Sequence, residues 1–170
     1  MNWENSAMAD SAAIFARLKD DHDRHRDLLE KIGKTSGDTR ERRTLFEEFT
    51  REVKAHAAAE EQALYSTMMR KPAATDETRH SVAEHHDIDE ALNDLAATDM
   101  ASGAWLQKFK TLEHDYLHHI DEEEDDHFPE FAKLLSKDDE RHMRDVFDRR
   151  KKREKAGAEV TPEKAEDAKE

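Results

Sequence analysis

The sequence predicts an all-α protein: an antiparallel up-down-up-down four-helix bundle built from a duplicated helical hairpin, with a short C-terminal helix behind it. Three observations predict it. Four Gly and three Pro in 170 residues leave room for few turns, and 41% charged with only 6% aromatic residues describes long amphipathic helices. Apolar residues recur at steps of three and four along four segments. The chain also matches itself at a shift of 63 positions, which lays His22 on His85, His56 on His119, Glu60 on Glu123 and Glu61 on Glu124, with Leu29 on Leu92, Phe46 on Phe109 and Met68 on Phe131.

Residues 1–9 read as a flexible arm. A first helix, capped by Asp10 or Ser11, carries Phe15, Leu18, His22, His25, Leu29 and Ile32 on one face, and Gly33 and Gly37 mark its end and turn. A second starts near Asp38 or Thr39, carries Leu45, Phe49, Val53, His56, Glu60 and Leu64, and is bounded by Pro72. A third, capped by Thr75 or Asp76, carries Val82, His85, Ile88, Leu92 and Leu95; the stretch ATDMASGA is the next turn. The fourth carries Trp105, Phe109, Leu112, Tyr116, His119, Glu123 and His127, and Pro129 is expected to kink or end it. Short turns between long helices make neighbours antiparallel, so the bundle spans residues 10–136. A fifth helix over 137–155 shows Met143, Val146 and Phe147, and its basic run RRKKREK reads as a solvated helix end. Residues 156–170 are small and charged and are expected to be disordered.

The absence of Cys removes disulfides, thiolate zinc sites, iron–sulfur clusters and thiol nucleophiles. No apolar run approaches the ~18–20 residues that span a bilayer. The opening MNWENSAMAD lacks the basic and apolar regions of a secretory signal, so a cytoplasmic location is expected. A formal net charge of −14 disfavours nucleic acid and anionic membranes as partners.

The chemistry lies in the histidines. A His and a Glu four residues apart on a helix point the same way; His56–Glu60 and His119–Glu123 have this spacing and sit on apolar seams, facing the bundle interior. Two buried carboxylates beside four inward imidazoles are costly unless a cation neutralises them. His22, His56, Glu60, His85, His119 and Glu123 are therefore the candidate metal ligands. Each His offers one nitrogen and each Glu can bridge, giving two nitrogens and two oxygens to each of two ions; an oxo or hydroxo bridge adds a fifth ligand and leaves a position for a diatomic molecule or peroxide. Mixed N/O ligation without sulfur suits iron, manganese or zinc; the shielded setting and open position favour two iron ions.

Outside the repeat, His25 lies one turn past His22 but its mate is Ile88, which reads either as an additional ligand or as a core or supporting His. His86 and His118 point about 100° from their neighbouring candidates, toward the surface. Glu61, Glu122 and Glu124 read as solvated, with the option that one orients a ligand His. Tyr65, Trp105 and Tyr116 read as core. The spacings Glu77–His80 and Glu124–His127 match the Glu-x-x-His of ferritin-like di-metal bundles, but one member of each pair falls off its seam, and His22 and His85 stand where that pattern needs Glu.

At these residues the chain resembles the hemerythrin-like, or HHE, cation-binding family. The matching strings are KDDHDRHRDLL, KAHAAAEEQALYS, VAEHHDIDEAL and HHIDEEEDDHFPEF, across about residues 14–135. The order His, HxxxE, His, HxxxE is similar to the bacterial branch and to the iron-sensing domain of a eukaryotic F-box protein. It differs from invertebrate hemerythrins, whose asymmetric five-His site serves reversible oxygen transport: here Asp89 stands four residues after His85. The resemblance implies a non-heme di-iron centre held by the same six residues and handling oxygen, peroxide or nitric oxide. The expected function is a di-iron module that binds, senses or scavenges a small oxidant or iron; the alternatives are a di-iron enzyme with peroxidase-, catalase- or nitric oxide reductase-like activity, and, against the resemblance, a metal-free adaptor bundle. Repair of iron–sulfur clusters, which family members perform with a Cys-bearing extra domain, does not fit a chain without Cys.

Overall fold

The computed structural model describes residues 13–157. Its long helices are α1 (Ile14–Gly33), α2 (Arg40–Glu60), α3 (Thr75–Ala96), α4 (Gly103–Glu122) and α5 (Lys137–Gly157). No strand occurs among the described residues, and no described helix is long and apolar enough to cross a membrane. The first four helices form the antiparallel bundle, and α5 packs on α1 and α2.

Local chemistry sets most boundaries. The Thr39 side chain caps α2 by accepting from the Arg42 amide at 3.2 Å, and Ser102 caps α4 by accepting from the Trp105 amide at 3.2 Å. Ser136 and Asp139 cap α5 reciprocally, each side chain accepting from the other's amide at 3.0 and 2.9 Å. Gly37, at φ +72°, supplies the left-handed residue of the turn between α1 and α2. Two expected boundaries differ. Neither Thr75 nor Asp76 caps α3: a 3-10 turn over Pro72–Ala74 leads into it, and the Thr75 hydroxyl donates backward to the carbonyls of Met69 and Lys71. The expected caps Asp10 and Ser11 lie outside the described residues.

Pro129 does not end the fourth helix. Both α2 and α4 run on through a π-helical turn, Glu61–Tyr65 and Glu123–His127, and continue as Ser66–Met68 and Phe128–Ala132. Pro129 stands at the start of the segment after the π turn, where a missing N–H is tolerated. The two π turns fall at nearly the same place in the repeat, beside the second residue of each His-x-x-x-Glu pair. Such turns admit one extra residue and rotate the helical segment beyond them.

The core has two apolar layers. One contains Leu29, Ile32, Phe46, Phe49, Leu92, Trp105, Phe109 and Leu112. The other contains Leu18, Leu64, Met68, Phe128 and Phe131, with Met143 and Phe147 contributed by α5. Each fully buried side chain of this size stabilises the fold by about 1.5–3 kcal/mol. Between the layers every helix of the bundle presents polar side chains. The basic run of α5 is not simply solvated, contrary to expectation. Lys151 is buried, its ammonium 2.8 Å from Asp21 and 3.0 Å from Glu52, and Lys155 also pairs with Glu52.

Candidate metal centre

The polar layer is made of the six candidates. His22 comes from α1, His56 and Glu60 from α2, His85 from α3 and His119 from α4; Glu123 opens the second π turn. All six are buried, both glutamates at 0% exposure. The four Nε2 atoms converge on the two carboxylates: His22 on Glu123 at 3.3 Å, His56 on Glu60 at 3.5 Å, His85 on Glu60 at 3.2 Å and on Glu123 at 3.6 Å, His119 on Glu123 at 2.8 Å.

Behind each imidazole a carboxylate faces Nδ1. Asp21 stands 2.8 Å from His56, Glu84 3.1 Å from His119, Glu124 3.1 Å from His22 and Glu61 3.9 Å from His85. An acceptor at Nδ1 orients the ring and leaves Nε2 free for a metal. These carboxylates obey the 63-residue repeat as well: Asp21 falls on Glu84 and Glu61 on Glu124. Glu124 is therefore not simply solvated; it also pairs with Arg26. The repeat carries the signal for Asp21 and Glu84, but the mates differ in type and show only when acids are compared as a class.

Further contacts depart from the repeat. The Tyr65 hydroxyl donates to Glu123 Oε1 at 2.7 Å, so a residue expected in the core touches the centre; its repeat mate, Phe128, has no hydroxyl. His25 is fully buried with Nδ1 2.6 Å from the Tyr116 hydroxyl, and its ring packs edge-on against His56. It groups with Asp21 and His56 rather than with Glu60 or Glu123. His86 and His118 are exposed, as their helix angles predict. Trp105 is buried among apolar side chains.

The carboxylates demand positive charge. Burial works against the imidazolium of His22, but the nearby carboxylates of Glu123 and Glu124 outweigh it and raise its pKa to about 9. His119 is raised to about 9 by Glu123 and Glu84 against the same burial. His25, desolvated and facing His56, is held well below the ordinary value and stays neutral. Burial pushes the Tyr65 and Tyr116 phenols up, and Glu123 and Glu60 push them further, so both stay protonated.

The residues fit a pair of metal ions. Buried His22 Nε2, both oxygens of Glu60 and Glu123 Oε2 have no hydrogen-bond partner, an arrangement that native cores avoid. Ligand atoms of Glu60, His85, His119 and Glu123 lie within 4.8 Å of one another, and so do those of His22, His56 and Glu60. Glu60 is common to both groups. A cavity of about 20 Å³, room for little more than a water, is lined by His56, His85, His119 and Tyr116 at its inner end. Val53, Ala57, Ile88 and Leu92 form its walls, and the Lys54–Asp89 ion pair, at 3.1 Å, stands at its outer end.

Residues 13–131 match the family described as Hemerythrin HHE cation binding domain. The fold is similar to the crystal structure of a Hemerythrin HHE cation binding domain-containing protein from Mycobacterium kansasii, with a TM-score of 0.77 at 22% identity over 85% of this chain and 88% of that one. No curated protein matches the chain.

Proposed function

The chain belongs to the hemerythrin HHE cation-binding domain family, and from that premise we infer that His22, His56, Glu60, His85, His119 and Glu123 hold two iron ions whose ligand is a small oxidant. The observation that carries this reading is the sharing of Glu60 between two buried ligand groups, with both its oxygens unpartnered. His85, His119 and Glu123 complete one group and His22 and His56 the other; an oxo or hydroxo bridge is the remaining shared ligand in this reading. When bound, iron supplies reversible redox chemistry toward oxygen, peroxide or nitric oxide. The protein supplies the rest. Asp21, Glu84 and Glu124 orient three of the imidazoles, Tyr65 fixes one oxygen of Glu123, and the two apolar layers exclude water. The cavity beside His56, His85 and His119 has room for a molecule little larger than water. A metal-free adaptor is disfavoured because it leaves two carboxylates buried without fixed cations. In this reading the protein acts in the cytoplasm, with no nucleic acid or membrane partner.

The direct test is metal analysis with an optical spectrum. Protein from iron-replete, reducing growth should carry two irons per chain and change its spectrum on adding peroxide; fewer than one tightly bound metal per chain rejects the reading. The enzymatic form of this proposal is tested by kinetics. Peroxide or nitric oxide consumption that disappears in Glu123→Ala supports an enzyme, whereas saturable binding without consumption supports a sensor or carrier.

A further inference from the structure

We propose that the outer face of the α3–α4 pair carries a separate site for one divalent cation of the zinc, manganese or ferrous class, built from His80, Glu84, Glu122 and His127. His80 Nε2 lies 3.1 Å from Glu84 Oε1 and 3.3 Å from Glu122 Oε1, and His127 Nε2 lies 3.4 Å from the same Glu122 oxygen. Neighbouring ligands around a tetrahedral cation with bonds of about 2.0–2.2 Å stand about 3.3–3.6 Å apart. Ligand atoms of His80, Glu84 and Glu122 all lie within 4.8 Å of one another, and His127 stands beside Glu122 as a fourth group; the two contacts to Glu122 have the spacing of ligands rather than the shorter distance of good hydrogen bonds.

The internal repeat shows that this corner has changed. Glu84 is the repeat mate of Asp21, and both support a candidate ligand His through Nδ1. Asp21 is neutralised by fixed cations, Arg17 at 2.6 Å and Lys151 at 2.8 Å. The mate of Arg17 is His80. Around Glu84 the ion-pair partners are His80 and His119, and around Glu122 they are His80, His118 and His127. Glu122 has no acidic mate in the repeat, since Ala59 stands in its place, and imidazoles stand where Asp21 has permanent cations. A bound cation supplies the missing charge.

The ligands are also prepared for it. His127 is buried, at 5% exposure, and its Nδ1 is fixed 3.0 Å from the Ser81 hydroxyl, so Nε2 is turned toward Glu122. His80 is half exposed and opens the site to solvent. Sequence spacing gives only part of the site: His80 and Glu84 are four apart on one helix, whereas their meeting with Glu122 and His127 is across helices. Because Glu84 Oε1 also faces His119 at 3.1 Å, occupancy here bears on the orientation of a buried ligand.

The test is equilibrium dialysis of the purified protein, as isolated with its iron, against Zn²⁺, with zinc and iron counted in the same samples. Wild type should take up one zinc per chain without losing iron. His80→Ala and Glu122→Gln should each weaken that uptake by more than the about 10–100-fold that loss of an outer partner costs, with iron content and thermal unfolding unchanged. No added zinc in wild type, uptake in both variants equal to wild type, or uptake only in exchange for iron overturns the proposal. The readout is the difference in zinc between wild type and His80→Ala, so if the buried centre carries no iron and itself takes zinc, that difference still reports the outer site, and its absence overturns the proposal.

Discussion

Glu60 and His22 differ in what they touch, and the difference is measurable. Glu60 belongs to both buried ligand groups and His22 to one. Glu60→Ala should therefore remove both ions, whereas His22→Ala should leave about half the metal, as counted per chain by elemental analysis. Asp21→Asn keeps the shape of the acceptor behind His56 but removes its charge; metal affinity should fall about 10–100-fold, read by chelator competition. Protonation sets a third expectation. His22 and His119 in the metal-free fold are raised to about 9, above the ordinary ~6.5. Their imidazolium contacts stabilise that fold fully below about 6.5 and are lost as pH rises through about 9. Metal uptake must expel the same protons, so it runs the other way: each of the two ions takes one of these histidines, and its apparent affinity should climb by about one decade per pH unit for each proton expelled between those values. A titration of affinity against pH that is flat in this range contradicts the assignment. At this scale the sequence is most legible where repeat mates are identical, as with the four His and two Glu. It is least legible where mates differ, because Asp21 against Glu84, or Tyr65 against Phe128, registers as a mismatch.

The helices show why a fifth element is needed. α5 seats Phe147 beside His56 at 5.5 Å between ring centroids and delivers Lys151 to Asp21 and Glu52. Both acids are buried, so Lys151→Ala takes one cation from each and leaves Arg17 on Asp21 and Lys155 on Glu52; it should cost less than the about 3–5 kcal/mol of a buried charge left wholly unpaired, seen as a lower midpoint in thermal or denaturant unfolding. The π turns are the other device at this scale. They begin where each His-x-x-x-Glu pair ends and turn Tyr65 and Phe128 inward. The helices themselves are readable from apolar steps of three and four, and the turns from Gly, Ser and Thr at their ends. The π turns are not, since no residue type marks them; the exchange of i→i+4 for i→i+5 bonding depends on what the turn packs against. The basic run of α5 misleads for a related reason. A Lys at a helix end is normally solvated, and only the approach of α1 and α2 buries this one.

As a whole, the molecule is a polar slab held between two apolar layers, with the charge balance of the slab left to a ligand. Removing metal should therefore destabilise the entire fold rather than loosen a loop. With free metal at about a thousand times its dissociation constant, binding contributes about 4 kcal/mol, so the midpoint of thermal unfolding should drop sharply after chelation and recover on adding iron. An unchanged midpoint contradicts a structural role for the centre. Among the described residues Glu60 and Glu123 are the acids at 0% exposure, whereas buried Asp21 and Glu52 stand beside fixed cations.

Taken alone, the order of residues determined the helical class, the duplication and the identity of the six inward groups, because each depends on spacing along one helix or on a single shift of the chain. Which groups meet across helices was decided only by packing. Glu60 falling into two ligand sets, the carboxylate behind each imidazole, Tyr65 on Glu123, Lys151 on Asp21 and the outer cluster of His80 with Glu122 all join residues from different segments. Their distances depend on how the helices are rotated and offset, and those are consequences of the whole core rather than of any stretch of chain.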